Sequence, residues 1–123
     1  MRANRLSDEE IREIIDQIIC GDALEILPRL PANSVDLVLT DPPYFLDKLD
    51  NESVKPLALC EYLIQLTVPE GAVVLDPFLG SGTTALAARN LKRRYIGIEI
   101  NPEYVAIARQ RLQHFTPSLF GEC

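Results

Sequence analysis

Asp41-Pro42-Pro43-Tyr44 puts a carboxylate, two consecutive prolines and an aromatic ring within four residues. Consecutive prolines fix φ and carry no backbone N–H, so the loop is stiff and offers carbonyl acceptors rather than donors. Asp41 adds a charged acceptor, and Tyr44 a flat face on which a planar ligand can stack. A second constellation lies downstream, in Leu75-Asp76-Pro77-Phe78-Leu79-Gly80-Ser81-Gly82-Thr83-Thr84. Gly80 and Gly82 permit positive φ and let a ligand approach the backbone closely. The spacing is Gly-x-Gly without the third glycine of a dinucleotide fingerprint, and no Gly-Lys-Ser/Thr follows, which argues against a nucleoside triphosphate. Glu99 stands 23 residues after Asp76, where an acid can accept hydrogen bonds from ribose hydroxyls.

These residues need strands and helices to position them. Ser7 with Glu10 forms a capping box that predicts a helix from Asp8, broken near Asp16. Ile18-Ile19-Cys20 reads as a short buried strand ending at Asp22, and Ala23–Leu30 as a helix. Val35–Thr40 is a strand that delivers Asp41. Lys55-Pro56 opens a helix to about Leu66, with Leu59, Leu63 and Leu66 on one face. Ala72–Leu75 is a strand into Asp76, Thr83–Leu91 a helix and Tyr95–Ile100 a strand through Glu99. Asn101 caps a last helix begun by Pro102, with Val105, Ala108 and Leu112 as its apolar stripe. Strands alternating with helices indicate an α/β fold, a parallel sheet of about four strands with flanking helices. Each strand ends on an acid: Asp22, Asp41, Asp76 or Glu99. Acids do cap helices, but four at the carboxyl edge of one sheet indicate a shared ligand site.

The chain has 123 residues and reads as one domain, with an N-terminal helix over 1–16 and a loose tail over 116–123. The net charge is −6, and basic residues cluster only as Lys92-Arg93-Arg94 and Arg109 with Arg111. A firm grip on duplex DNA needs a cationic surface, so weak or no DNA binding is expected of this chain alone. No apolar run reaches the length of a membrane helix. Cys20, Cys60 and Cys123 are scattered and His114 is the lone histidine. No metal site is therefore expected, and the thiols read as buried or idle ones in a reducing cytoplasm.

The two motifs resemble those of the adenine-N6 and cytosine-N4 DNA methyltransferases. Their order, Pro-Pro loop before glycine loop, is similar to the permuted β class. The resemblance covers roughly residues 16 to 112. It implies a Rossmann-like methyltransferase fold and S-adenosylmethionine as cofactor. Position by position, it implies that Phe78, Gly80 and Gly82 line the methionine and ribose side. Glu99 would bind the ribose hydroxyls, and Asp22 the adenine amino group with the Ala23 backbone beside it. Lys55 matches a Lys-Pro step near the methionine carboxylate, and Ser81, Thr83 and Thr84 would be further donors there. At the Pro-Pro loop, Asp41 and the Pro42 carbonyl would hold the two hydrogens of an exocyclic amine. Held so, the nitrogen can pyramidalise toward the methyl sulfonium. Pro43 stiffens the loop and Tyr44 would stack on a flipped base. Asp at the first position goes mainly with adenine, Ser with cytosine.

The chain departs from that family between Tyr44 and Lys55. Only Phe45–Val54 lies there, where family members place three further strands and a target-recognition region. The resemblance also implies a sheet order in which the strands ending at Asp22, Glu99, Asp76 and Asp41 follow one another. The nearly continuous apolar strand Val35–Thr40 is thereby left at an edge, although its pattern suits cover on both faces. A homodimer or partner chain is expected to pair with it, unless the first helix covers it through Ile11, Ile14 and Ile15. Three readings follow: a minimal or split methyltransferase completed by a partner or by self-association, a cofactor-binding module without turnover, or a remnant of a disrupted methyltransferase gene.

Overall fold

The computed structural model describes residues 4–40 and 57–113. Asp41, Pro42, Pro43, Tyr44 and Lys55, with the tail, lie outside the described residues.

The chain opens with α1 (Asp8–Ile14). The Ser7 hydroxyl accepts from the Glu10 N–H, and the Glu10 carboxylate accepts from the Ser7 N–H, closing the expected capping box. Ile15 leaves the helix in extended conformation, and Asp16, at φ 70°, turns the chain into β1 (Gln17–Cys20). Asp16 is fastened to the neighbouring strand of the sheet as it turns. Its carboxylate accepts from the Arg94 Nε at 2.8 Å and from the Tyr95 N–H at 3.2 Å. That contact, by hydrogen bond and then by charge, holds Arg94 above its ordinary pKa. Burial, and then Asp16, push the Tyr95 phenol up as well, with Arg89 opposing.

Asp22 caps α2 (Ala23–Ile26), which tightens into a 3₁₀ turn at Leu27–Arg29. Pro28 has no N–H to continue an α-helical ladder, so the helix expected to run evenly to Leu30 changes form at Leu27. Next come β2 (Leu37–Val38), α3 (Leu57–Thr67), β3 (Val73–Asp76), α4 (Thr83–Asn90), β4 (Arg94–Glu99) and α5 (Pro102–Leu112). The sheet order is β1-β4-β3-β2 and every pairing is parallel, as the resemblance implied.

Alternating strand residues feed two cores. Ile18, Val74 and Tyr95 point to the face covered by α3, α4 and α5. Ile19, Leu75, Ile96 and Ile98 point to the face covered by α1 and α2. Ile18, Ile19, Ile96 and Ile98 are wholly buried, each contributing about 1.5–3 kcal/mol of transfer free energy. The middle of the sheet is thus fixed from both sides, and its carboxyl edge with it.

Two expectations about packing need correction. In α3 the buried residues are Cys60 and Ile64, one helical turn apart, while Leu59 and Leu66 are exposed. Cys60 and Ile64 sit on the α4 side, and the leucine pattern marks the outer face instead. The strand expected over Val35–Thr40 is reduced to Leu37–Val38. Before it, the Asp36 N–H donates to the Val73 carbonyl at 2.8 Å, but the Val73 N–H donates back to the Asp36 carboxylate, also at 2.8 Å, rather than to a backbone carbonyl. Leu37 and Leu39 pack on the α3 face, but Val38 is 57% exposed. Among the described residues, cover on both faces is therefore absent at β2. The first helix does not supply it, because α1 packs on β1 at the opposite edge.

Cys60 is buried in the core, whereas Cys20 is disulfide-bonded, which corrects the expectation of an idle thiol there. Among the described residues no helix is long and apolar enough to cross a membrane, and no group of acids, histidines and cysteines could hold a metal.

Candidate active site

Strand register decides where the acids stand. Asp76 pairs with Gly97, so Glu99 lies two residues further along the neighbouring strand. Glu99 in turn pairs with Cys20, so Asp22 lies two residues further again on β1. With about 3.3 Å per residue and about 4.8 Å between strands, the acids climb diagonally across the carboxyl edge. Asp76 and Asp22 are then roughly 16 Å apart. Such a line suits an elongated ligand better than a compact one.

Each described acid is held by backbone donors. The Asp76 Oδ1 accepts from the Phe78 N–H at 3.0 Å, with the residue 3% exposed. The Glu99 Oε1 accepts from the Gly80 N–H at 2.7 Å, and its Oε2 from the Asn101 N–H at 3.0 Å. The Asp22 Oδ1 accepts from the Leu24 N–H at 2.9 Å, so this acid does cap a helix. Capping occupies one lone pair and leaves the carboxylate at the sheet edge.

The glycine loop sits between Asp76 and Glu99. Leu79 anchors it by donating to the Ile98 carbonyl, and its side chain is buried. Gly80 has φ 63°, and a Cβ there would meet nothing within 4 Å. Its missing side chain faces open space. Gly82 differs. It stands at φ 98° as the N-cap of α4, and a Cβ would lie 2.9 Å from the Cβ of Ala108. Gly82 is there so that α5 can press against the loop. The two glycines, equivalent in sequence, are thus separated by the structure into an open position and a packed one.

Of the remaining residues, Phe78 is 62% exposed. Ala23, Thr83 and Thr84 are buried at the first turns of α2 and α4. The Arg111 Nη1 donates to the Ser81 carbonyl at 2.9 Å and approaches the Ser81 and Thr83 hydroxyls at 3.3 Å. Sequence reasoning missed Arg111, which reaches the loop from 28 to 30 residues away. It also missed Leu24 and Ile100, exposed at 81% and 64%. With Phe78, these give every described strand-end acid an exposed apolar neighbour one or two residues on. The signal was present, since large apolar residues follow the acids where a purely solvated turn would be polar.

A parallel sheet in this order, with its glycine loop and strand-end acids at the carboxyl edge, defines a Rossmann-like methyltransferase fold. The sequence profile of the N6/N4 DNA methylases matches residues 49–110, half of the chain, and the chain belongs to that family. It is similar to the type II methyltransferase M2.DpnII of Streptococcus pneumoniae, 51% identical over 59 residues, which are 48% of this chain and 22% of that protein. Likewise it is 50% identical to M.HindIII of Haemophilus influenzae over 66 residues, 54% of this chain and 21% of that one. Among solved structures, the M1.HpyAVI–SAM complex is 47% identical with a TM-score of 0.49, over 57% of this chain and 34% of that chain. The cytosine-N4-specific PvuII DNA methyltransferase is 39% identical with a TM-score of 0.45, over 46% and 20%. The chain spans about a fifth of the length of the curated relatives it matches.

Proposed function

We propose that this chain carries the cofactor half of an S-adenosylmethionine-dependent methyltransferase acting on the exocyclic amino group of a DNA base, with adenine N6 as the target. The observation that carries the reading is the diagonal of Asp76, Glu99 and Asp22 around a glycine loop whose Gly80 faces open space. S-adenosylmethionine is an amino acid, a sulfonium, a ribose and an adenine in a row, with a comparable reach when extended. The methionine end belongs at the low step, beside Asp76, Phe78, Gly80, Gly82 and Ser81, with Thr83 and Thr84 behind them and Lys55 at the carboxylate. The ribose belongs at Glu99. The adenine belongs at Asp22 and the Ala23 backbone, between the apolar walls that Leu24 and Ile100 offer.

When bound, the cofactor supplies an electrophilic methyl group. The amine it meets is a weak nucleophile, because its lone pair is delocalised into the base. Asp41 and the Pro42 carbonyl accept its two hydrogens, which favours a pyramidal nitrogen and stabilises the positive charge that develops on it. Pro43 keeps that loop from relaxing. Tyr44 stacks on the flipped base, worth about 1–3 kcal/mol. Asp41 in first position supports adenine over cytosine, and the bacterial relatives support a cytoplasmic location.

A second copy or partner chain is the completion we propose for DNA binding and turnover. The exposed Val38 at the β2 edge favours it, as does a net charge of −6 that suits DNA poorly. A cofactor-binding module without turnover is the second reading, favoured by the short Phe45–Val54 connection. Calorimetric titration with S-adenosylmethionine, followed by labelled methyl transfer onto unmethylated genomic DNA, separates them. Binding with transfer supports the enzyme, binding alone the module, and no binding at millimolar cofactor refutes both.

A further inference from the structure

Three residues in the last turns of α5 bear on the glycine loop. Ala108 fills the space that a Gly82 side chain would need, with Cβ positions 2.9 Å apart, and Leu112 Cδ1 lies 3.6 Å from the same point. Arg111 follows Ala108 by three residues and so neighbours it on the helix surface. Its guanidinium reaches over the loop to the Ser81 carbonyl at 2.9 Å and the Ser81 and Thr83 hydroxyls at 3.3 Å. One Nη carries two hydrogens, so the carbonyl contact is the well-directed bond and the hydroxyls share the other.

That bond adds to the loop's own backbone ties. Leu79 donates to the Ile98 carbonyl and Gly80 to the Glu99 carboxylate, both toward β4, while Gly82 donates to the Leu79 carbonyl within the loop. Ser81 sits between two left-handed glycines, which have many alternative conformations, and its carbonyl is gripped by Arg111 from the helix side.

We infer that Arg111 is a positioning residue for the cofactor loop, setting the affinity for the methionine end of S-adenosylmethionine without touching it. The inference rests on the cofactor reading above. Its physical content is that an oriented loop binds without first losing conformational entropy, which raises affinity with no added contact. Arg111 is itself exposed, so its loss leaves no buried charge behind.

The test uses Arg111→Met, which keeps the stem and removes the donors, and Arg111→Lys as the conservative variant. Three quantities are read: the melting temperature, amide exchange in the cofactor-free protein, and calorimetric affinity for S-adenosylmethionine. In Arg111→Met, exchange at Gly80 and Gly82 accelerates about tenfold and affinity falls about tenfold. The melting temperature and exchange at the β4 amides stay at wild-type values. Arg111→Lys, with a single ammonium donor for the same carbonyl, recovers part of both effects. Unchanged exchange and affinity in Arg111→Met overturn the inference. So does lost affinity that comes with faster exchange through β4 and a lower melting temperature, since that is a role in stability. If exchange responds but the wild type binds no cofactor, the cofactor reading has failed and takes this inference with it. Exchange in the cofactor-free protein keeps that failure distinct from a tether that does not exist.

Discussion

Exchanging each loop glycine for alanine separates two roles that the sequence presents as one. In Gly82→Ala the new Cβ would lie 2.9 Å from the Ala108 Cβ and 3.2 Å from its Cα, at a residue held at φ 98°. Left-handed backbone costs an alanine about 1–2 kcal/mol, and forcing α5 away from the loop costs about 1–3 kcal/mol more. The lower entropy of the unfolded chain offsets about 0.4–1 kcal/mol. The net loss is about 2–4 kcal/mol, a sizeable part of a typical domain's stability, and lowers the melting temperature by roughly 10–20 °C. In Gly80→Ala the Cβ meets nothing within 4 Å, so only the backbone cost of φ 63° remains. That costs about 1–2 kcal/mol before the same offset and shifts melting by a few degrees. On the proposed reading its Cβ occupies space the cofactor needs, and S-adenosylmethionine affinity falls by more than about tenfold. Thermal unfolding followed by circular dichroism gives the first quantity and calorimetry the second. A Gly82→Ala protein melting within about two degrees of wild type would refute the packing argument. So, for the open position, would a Gly80→Ala protein that binds normally.

Asp76→Ala weakens S-adenosylmethionine binding at least tenfold, about 1.4 kcal/mol, and calorimetry checks it. Glu99→Ala does the same and also destabilises by about 1–3 kcal/mol, because the Gly80 and Asn101 N–H groups lose their acceptor; normal affinity in either variant would remove the acids from the site. Where turnover is measurable, Asp41→Ala abolishes labelled methyl transfer while cofactor affinity stays within a few-fold, and near-normal turnover would remove Asp41 from the chemistry. Wild-type chain at tens of micromolar sediments as a dimer or larger assembly, and Leu37→Lys or Val38→Lys returns it to monomer. A clean 13.8 kDa wild-type monomer is the opposing result.

Much of the fold was legible because its signals are local. The Ser7–Glu10 capping box, the Asn101-Pro102 helix start and the short isoleucine strands each declare themselves within a few residues, and the structure places all of them as read. The strand order came from the resemblance rather than from any periodicity. Misreadings arose where a partner decides the outcome. Leu59, Leu63 and Leu66 form a good helical stripe, yet α4 takes the face with Cys60 and Ile64, and hydrophobicity alone cannot tell one apolar face from another. Val35–Thr40 has the composition of a buried strand, yet no helix among the described residues covers Val38. At the site, the acids and glycines were visible as a pattern, but their division of labour was not. Gly82 depends on Ala108 and Ser81 on Arg111, contacts across 26 and 30 residues that no motif spacing encodes.

The diagonal of acids has a further consequence for how such a site can vary. Moving β4 one residue against β3 would turn every side chain to the opposite core, exchanging the Tyr95 face for the Ile96 face. Only shifts of two residues preserve both cores. The distance between neighbouring acids along the strands is therefore quantised in steps of about 6.6 Å, and the sheet cannot be tuned to a slightly longer or shorter ligand. Fine adjustment has to come from the side chains, by choosing aspartate or glutamate at a step, or from the loops above them. Glu99, one methylene longer than its two neighbours on the diagonal, is the kind of correction a rigid scale of that coarseness requires.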